Sequence, residues 1–207
     1  MRKRLLLLTK SAKRKNDGAT YGYCVAGIDE EGKFVRLCAD EKGDSLTEEE
    51  MPFKPLDTVE CDLSGPFPIS CQTENFVVKL KNIAKVEAKS VSYVDELYGD
   101  KKIGRRSYFG SMRDRVGKKE AEKLGYSLAA IKVRELKIYR DENKKYRAEF
   151  QIGKNVAKPV SMTDPDYYFK AKDATVEEPV VFERAILIVS LPNNPPYIKF
   201  IAKIFEI

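Results

Sequence analysis

Histidine is absent from all 207 residues, and with it goes the side chain that most often serves as general base and metal ligand. The motifs that would supply other chemistry are missing too. No G-x-x-x-x-G-K-[ST] or G-x-G-x-x-G string offers a glycine loop to nucleotide phosphates. Cys24, Cys38, Cys61 and Cys71 include no C-x-x-C pair, and gaps of 14, 23 and 10 residues do not make a four-thiolate zinc site. Reduced, metal-free thiols are expected. No stretch reaches the ~18 apolar residues of a membrane span; the densest, Ala185 to Leu191, has the length of a strand. Near the start, Leu5 to Leu8 follow a basic run but fall short of the ~7–15 apolar residues of a signal sequence, and Lys10, Lys13, Arg14 and Lys15 come directly after. The expectation is a cytoplasmic protein that needs no cofactor, metal or membrane and is not an enzyme. Ser11 with Lys13 has the composition of a Ser–Lys nucleophile pair, as do many pairings in a lysine-rich chain.

What the sequence does have is charge, unevenly placed. The net charge is +6. Residues 1–15 hold seven Lys or Arg and no acid, and residues 101–119 hold eight against Asp114 alone. Each segment therefore carries +7, which leaves −8 for the rest of the chain. Clustered cations gain from releasing the counterions of a polyphosphate, whereas scattered ones mainly solubilise. The competing reading is a solvated charged face.

The chain reads as short strands with few helices. Arg4 to Lys10, Tyr21 to Ile28, Lys33 to Cys38, Thr58 to Leu63 and Phe76 to Val86 are apolar or β-branched runs separated by Gly, Pro and Asp turns. Five strands without helical crossovers between the first three suggest a small barrel. Val91 to Leu97 has a helical turn or two with Ser90 or Ser92 as cap, 99–110 reads as an exposed basic loop, and Lys118 to Leu124 is a short helix stopped by Gly125. Strand signals return at Ser127 to Val133 and at Glu135 to Arg140, with a bulge or boundary at Arg134-Glu135 between them, then at Tyr146 to Ile152, Ala185 to Leu191 and Tyr197 to Ile207. The expected architecture is mainly β: two small barrels in tandem, residues 1–90 and 126–207, joined by a helical and basic-loop connector at 91–125.

Several residues are candidates for contact with a partner. Phe34 and Arg36 share one face of a strand whose other face carries Val35 and Leu37, and an aromatic beside an arginine can stack a base and clamp a phosphate. Alternatively Arg36 pairs with Glu60, Asp62 or Glu74 and closes the barrel. Gln72, Glu74 and Asn75 bring amide and carboxylate groups that can read base edges, or that cap a loop. Arg105, Arg106 and Tyr108 lie in the basic loop and have the composition of a stacking platform in an electrostatic groove; Tyr108 and Phe109 also suit tacking that loop to the core. Lys13 completes the set.

Thr9-x-Ser11-x-Lys13, Cys24-Val-Ala-Gly-Ile28, Val35-Arg-Leu37, Pro55-Leu-Asp57 and Gln72-x-Glu74-Asn75, followed more loosely by Thr163-Asp-Pro165, resemble the dual-OB-domain proteins of bacteria and archaea. These carry two OB folds in tandem and occur alone or beside defence and conflict-system components. Two departures stand out. Leu37 replaces a proline common after the arginine, and Cys71 stands where the family often has histidine. The resemblance implies OB-like barrels and a nucleic-acid ligand, DNA or RNA, single-stranded and weakly selected by sequence. A protein-interaction scaffold built on the same barrels is the alternative.

Overall fold

The computed structural model describes residues 1–14, 20–104 and 107–207. Strands β1 (Arg2–Arg14), β2 (Thr20–Asp29), β3 (Phe34–Cys38), β4 (Asp57–Pro66) and β5 (Asn75–Ala88) close a barrel in the order β1-β2-β3-β5-β4, with β3 and β5 parallel. A connector follows. Helix α1 (Val91–Gly99) is capped by Ser90, whose hydroxyl accepts from the Tyr93 amide. After it come β6 (Arg115–Val116) and helix α2 (Lys118–Leu124). Gly125 ends α2 at φ 62°, a left-handed position that glycine adopts without a Cβ penalty.

The second half contains β7 (Leu128–Arg140), β8 (Tyr146–Ile152), β9 (Asn155–Val156), β10 (Val160–Met162), α3 (Asp166–Lys170), β11 (Val180–Ser190), β12 (Tyr197–Ile198) and β13 (Phe200–Glu206). Pairings β7–β8, β8–β10, β10–β13, β13–β11 and β11–β7 form a second ring. With β7, β8, β10, β11 and β13 taken as strands one to five, the order is 1-2-3-5-4, and the three–five pair is again parallel. Both rings are thus OB-like, and no strand of one enters the sheet of the other.

Period-two alternation fills each ring. Leu5 and Leu7 of β1 join Val25, Val35, Leu37 and Val59 inside the first barrel. Ala129, Ile131, Phe150, Leu187 and Val189 help to fill the second. In β7 the interior set moves from odd positions up to Val133 to even ones from Leu136. The change occurs at a bulge between Arg134 and Lys137, where Glu135 has φ 49°.

The opposite faces of these strands are also apolar, and they meet. Leu6, Leu8, Ala26, Ile28 and Phe34 of the first barrel pack with Leu128, Ala130, Ile186, Ile188 and Phe205 of the second, and Val94 and Ile103 of the connector close the cluster. This third core accounts for the two unbroken apolar runs, since β1 and β11 are buried on both faces.

The connector is held as well. Gly32, at φ 75°, lies so close to Lys102 that an added Cβ would sit 1.6 Å from its carbonyl oxygen, and the Gly104 amide donates to the Gly32 carbonyl at 2.9 Å. Ile103, Tyr108 and Phe109 are buried, so the segment expected to be an exposed loop is anchored at these positions. Apolar burial outweighs the hydration of its charged neighbours.

Candidate ligand cleft at the barrel seam

Thr9, Ser11, Arg36 and Gln72 meet the second barrel or the segment leading into it where the barrels touch. The Thr9 hydroxyl donates to the Ala202 carbonyl at 3.0 Å, and the Ser11 and Thr163 hydroxyls share a hydrogen bond of 2.7 Å. The turn between β4 and β5 reaches across to the second barrel. There the Gln72 amide donates to the Leu191 carbonyl at 3.0 Å, Thr73 donates to the Gly125 carbonyl at 2.7 Å, and the Ser70 hydroxyl lies 3.0 Å from that of Tyr197.

Arg36 and Glu74 sit inside this joint, 6% and 8% exposed. Arg36 Nη2 donates to Ser127 Oγ at 2.8 Å and lies 3.8 Å from Glu74 Oε1. Glu74 Oε1 accepts the Ser127 amide at 3.0 Å and the Ser127 hydroxyl as well. Asn75 is fully buried, with Nδ2 3.4 Å from Gln72 Oε1. Of the carboxylates open to Arg36, it is Glu74 that it meets. Arg36 Nε, Glu74 Oε2 and Asn75 Oδ1 keep no hydrogen-bond partner, which is costly for buried polar atoms.

On one side of the joint opens a cleft of about 500 Å3. Lys13, Tyr21, Arg36 and Gln72 line it from the first barrel, and Tyr168 and Phe200 from the second. Asn193 and Asn194, in the turn after β11, also border it. On the other side a groove of about 320 Å3 is lined by Phe34, Glu74 and Tyr126 among others. The sequence candidates therefore divide. Lys13, Arg36 and Gln72 come together at the cleft, whereas Phe34 and Glu74 face the smaller groove and Asn75 is enclosed.

Tyr108 is elsewhere. Its ring meets Phe150 edge-on at 5.4 Å, Lys199 Nζ lies 3.7 Å from its centroid, and it is 6% exposed. A ring enclosed in this way presents no face to a base; it ties the connector to the second barrel. Lys199, itself 0% exposed, donates to the carbonyls of Tyr108 and Ser111 at 3.0 and 2.6 Å, and burial lowers its pKa to about 8. Arg105 and Arg106 lie outside the described residues.

Four residues of the amino-terminal basic cluster are paired with acids. Register pairs Arg4 with Glu60 across β1 and β4, and Glu60 accepts from both Arg2 and Arg4 at 3.0 and 2.9 Å. Lys3 pairs with Asp29, and Lys10 with Glu48 at 2.8 Å. These acids are far from the run in sequence, which is why its charge read as unopposed. Among the described residues no acid pairs with Lys13, so its cation remains available at the cleft. Cys38, Cys61 and Cys71 are buried and Cys24 half-buried, all as free thiols. Burial raises the Cys38 and Cys61 thiols to about 11.

Sequence reasoning did not single out Tyr21, Tyr168 or Phe200. A trace of the signal was present: Tyr167-Tyr168-Phe169 follows Thr163-Asp-Pro165, and Phe200 lies beyond the Asn-rich turn. The strand pattern could not say that these segments face the first barrel. A search of curated proteins finds no match. The model of the dual OB-containing domain matches residues 3–204, spanning both rings, the connector and the joint between them. With two 1-2-3-5-4 rings joined through the residues that carry the family's strings, the chain belongs to the dual OB-containing domain family.

Proposed function

We propose that the protein binds single-stranded nucleic acid, DNA or RNA, with weak sequence selectivity and without catalysing a reaction on it, and that the cleft at the barrel seam receives the strand. The observation that carries the reading is the position of the cleft. It lies on β2 and β3 of the first barrel and beside the turn from β4 to β5, the face and loop that OB folds use for oligonucleotides. Its chemistry fits the ligand. Lys13 supplies a cation for a phosphate, Tyr21 is 53% exposed and offers a ring for stacking, and the buried Arg36 adds positive charge behind the wall. A volume of about 500 Å3 is in the range of small-ligand sites and accepts a base with its sugar.

Selectivity is weak in this reading because the amides of the joint are occupied: Gln72 is bonded to Leu191 and to Asn75. Asn193 and Asn194 on the rim are the amides left to read a base edge. Among the described residues no helix is long and apolar enough to cross a membrane, and a cytoplasmic location belongs to the same proposal.

Fluorescence anisotropy with mixed-sequence single-stranded DNA and RNA at two salt concentrations is the direct test. Micromolar binding at low salt is expected. Lys13→Ala should flatten the plot of log affinity against log salt by about 0.7, the contribution of one phosphate on a single strand. Tyr21→Ala should cost ~1–3 kcal/mol and leave that slope unchanged. Absence of binding to either strand at low salt would overturn the reading in favour of a protein-interaction module.

A further inference from the structure

The second barrel repeats the first at the end of its opening hairpin. The last register pair of β1 and β2 is Arg14 with Thr20, and that of β7 and β8 is Arg140 with Tyr146. In each case a basic residue ends strand one, and five residues separate it from its partner at the start of strand two. In the first barrel this end carries Lys13 and Tyr21, which line the cleft. In the second it leads to a group of aromatic side chains that the cleft uses only in part.

That group has a defined order. Arg140 Cζ lies 5.5 Å from the centroid of Tyr146. Tyr146 and Tyr168 have centroids 4.5 Å apart and planes inclined by 31°. Phe169 follows, 76% exposed, with Lys172 Nζ 4.8 Å from its centroid. Tyr168 belongs both to this row and to the wall of the cleft, so the two features are continuous. The cations are not strongly held by acids. Among the described residues Arg140 donates to the carbonyls of Lys144 and Lys172, at 3.4 and 3.3 Å, and pairs with no acid, and Asp141 is engaged by Arg147 at 2.7 Å. Among them the acid nearest Lys172 is exposed Asp173 at 3.7 Å, a distance and setting at which an ion pair contributes little.

A single exposed phenylalanine needs no explanation. A row of three rings, flanked by cations at both ends and joined to a cleft, does. A strand leaving the cleft over Tyr168 would meet the packed pair of Tyr146 and Tyr168 and the exposed Phe169 ring as stacking surfaces, with Arg140 and Lys172 beside them for the phosphates.

We propose that Tyr146, Tyr168 and Phe169, with Arg140 and Lys172, form a second stacking platform that takes the continuation of the single strand bound in the cleft. The proposal rests on the cleft reading and extends it. One strand is held by both barrels, and its site is longer than one OB fold alone provides. Tyr168 is the residue at which the two parts meet.

The test uses the full chain with dT12 and dT4, at low salt, by anisotropy or competition. Phe169→Ala and the pair Arg140→Ala with Lys172→Ala remove exposed or half-exposed groups, and circular dichroism checks that the fold is kept. Phe169→Ala should weaken dT12 by about five- to a hundred-fold and leave dT4 within twofold, whereas Lys13→Ala should weaken both. If dT12 loses affinity with Lys13→Ala and Tyr21→Ala but not with the platform variants, the platform is overturned and the cleft reading stands. If only the platform variants matter, the cleft reading fails, and with it the continuous path. If dT12 does not bind the unaltered protein, both fall.

Discussion

Replacing Glu74 by alanine tests whether the joint between the barrels is structural. Glu74 Oε1 accepts the amide and hydroxyl of Ser127 and lies 3.8 Å from the Arg36 guanidinium. All three residues are buried: Arg36 at 6%, Glu74 at 8% and Ser127 at 0% exposure. Alanine there leaves a buried cation without its counter-charge and two donors without their acceptor. Removing one member of a buried pair costs ~3–5 kcal/mol. In a chain of this size each kcal/mol moves Tm by roughly 2–4 °C, so Glu74→Ala should lower Tm by about 6–20 °C in a calorimetric scan. Glu60→Ala is the control, because it deletes a carboxylate with two arginine partners that are both well exposed, and it should shift Tm far less. Arg36→Met combined with Glu74→Ala should destabilise less than the two single changes added, since the orphaned cation is gone. A Glu74→Ala protein that melts within a degree or two of Glu60→Ala would refute the assignment of Arg36, Glu74 and Ser127 as a structural lock.

Leu8→Ala removes a fully buried side chain from the core between the barrels rather than from inside either. It should cost ~2–5 kcal/mol in urea unfolding and broaden the transition if the barrels then separate before each melts. Lys199 has a pKa lowered to about 8 by burial, so between pH 8 and about 10.4 the unfolded chain binds the proton that the folded chain has released. Stability should therefore rise with pH across that window. Relative to Lys199→Met, the unaltered protein should gain roughly 2 kcal/mol from pH 7 to 10, below the full shift because pH 10 stops short of the unfolded pKa; a difference flat in pH would contradict this. Gly32→Ala forces a Cβ against the Lys102 carbonyl at a positive φ and should destabilise by more than ~1 kcal/mol, with hydrogen exchange rising first at 101–104. With thiols near 11, Cys38 and Cys61 should resist a disulfide reagent at pH 8 in the folded protein, and rapid labelling of both would show that the first barrel opens readily.

The strand pattern was legible because alternation reports which side of a strand is apolar. It correctly put Val35 and Leu37 inside the first barrel and marked Arg134-Glu135 as the break where β7 changes parity. It could not report what covers the other side. Phe34 and Arg36 share an outward face that looks like ligand surface until the second barrel is placed over it. The distance in sequence is the reason: Arg36 and Ser127 are 91 residues apart, and Gln72 and Leu191 are 119 apart. The basic run at the start misled for the same cause, since Asp29, Glu48 and Glu60 reach it only through the closed barrel. Tyr108 was open to two readings on composition, and the pocket formed by Phe150 and Lys199 decides between them.

The double burial of β1 also bears on how the chain is made. Leu6 and Leu8 belong to β1, yet Ile186 and Ile188, which cover them, lie some 180 positions later in the chain. At ~5–20 residues per second that interval is roughly 10–40 s. The first barrel has all five of its strands long before then, so it can close while one side still shows bare leucine, isoleucine and phenylalanine to solvent. A nascent chain in that condition is a natural client for a chaperone that recognises apolar surface, and the last strands release it by covering the patch.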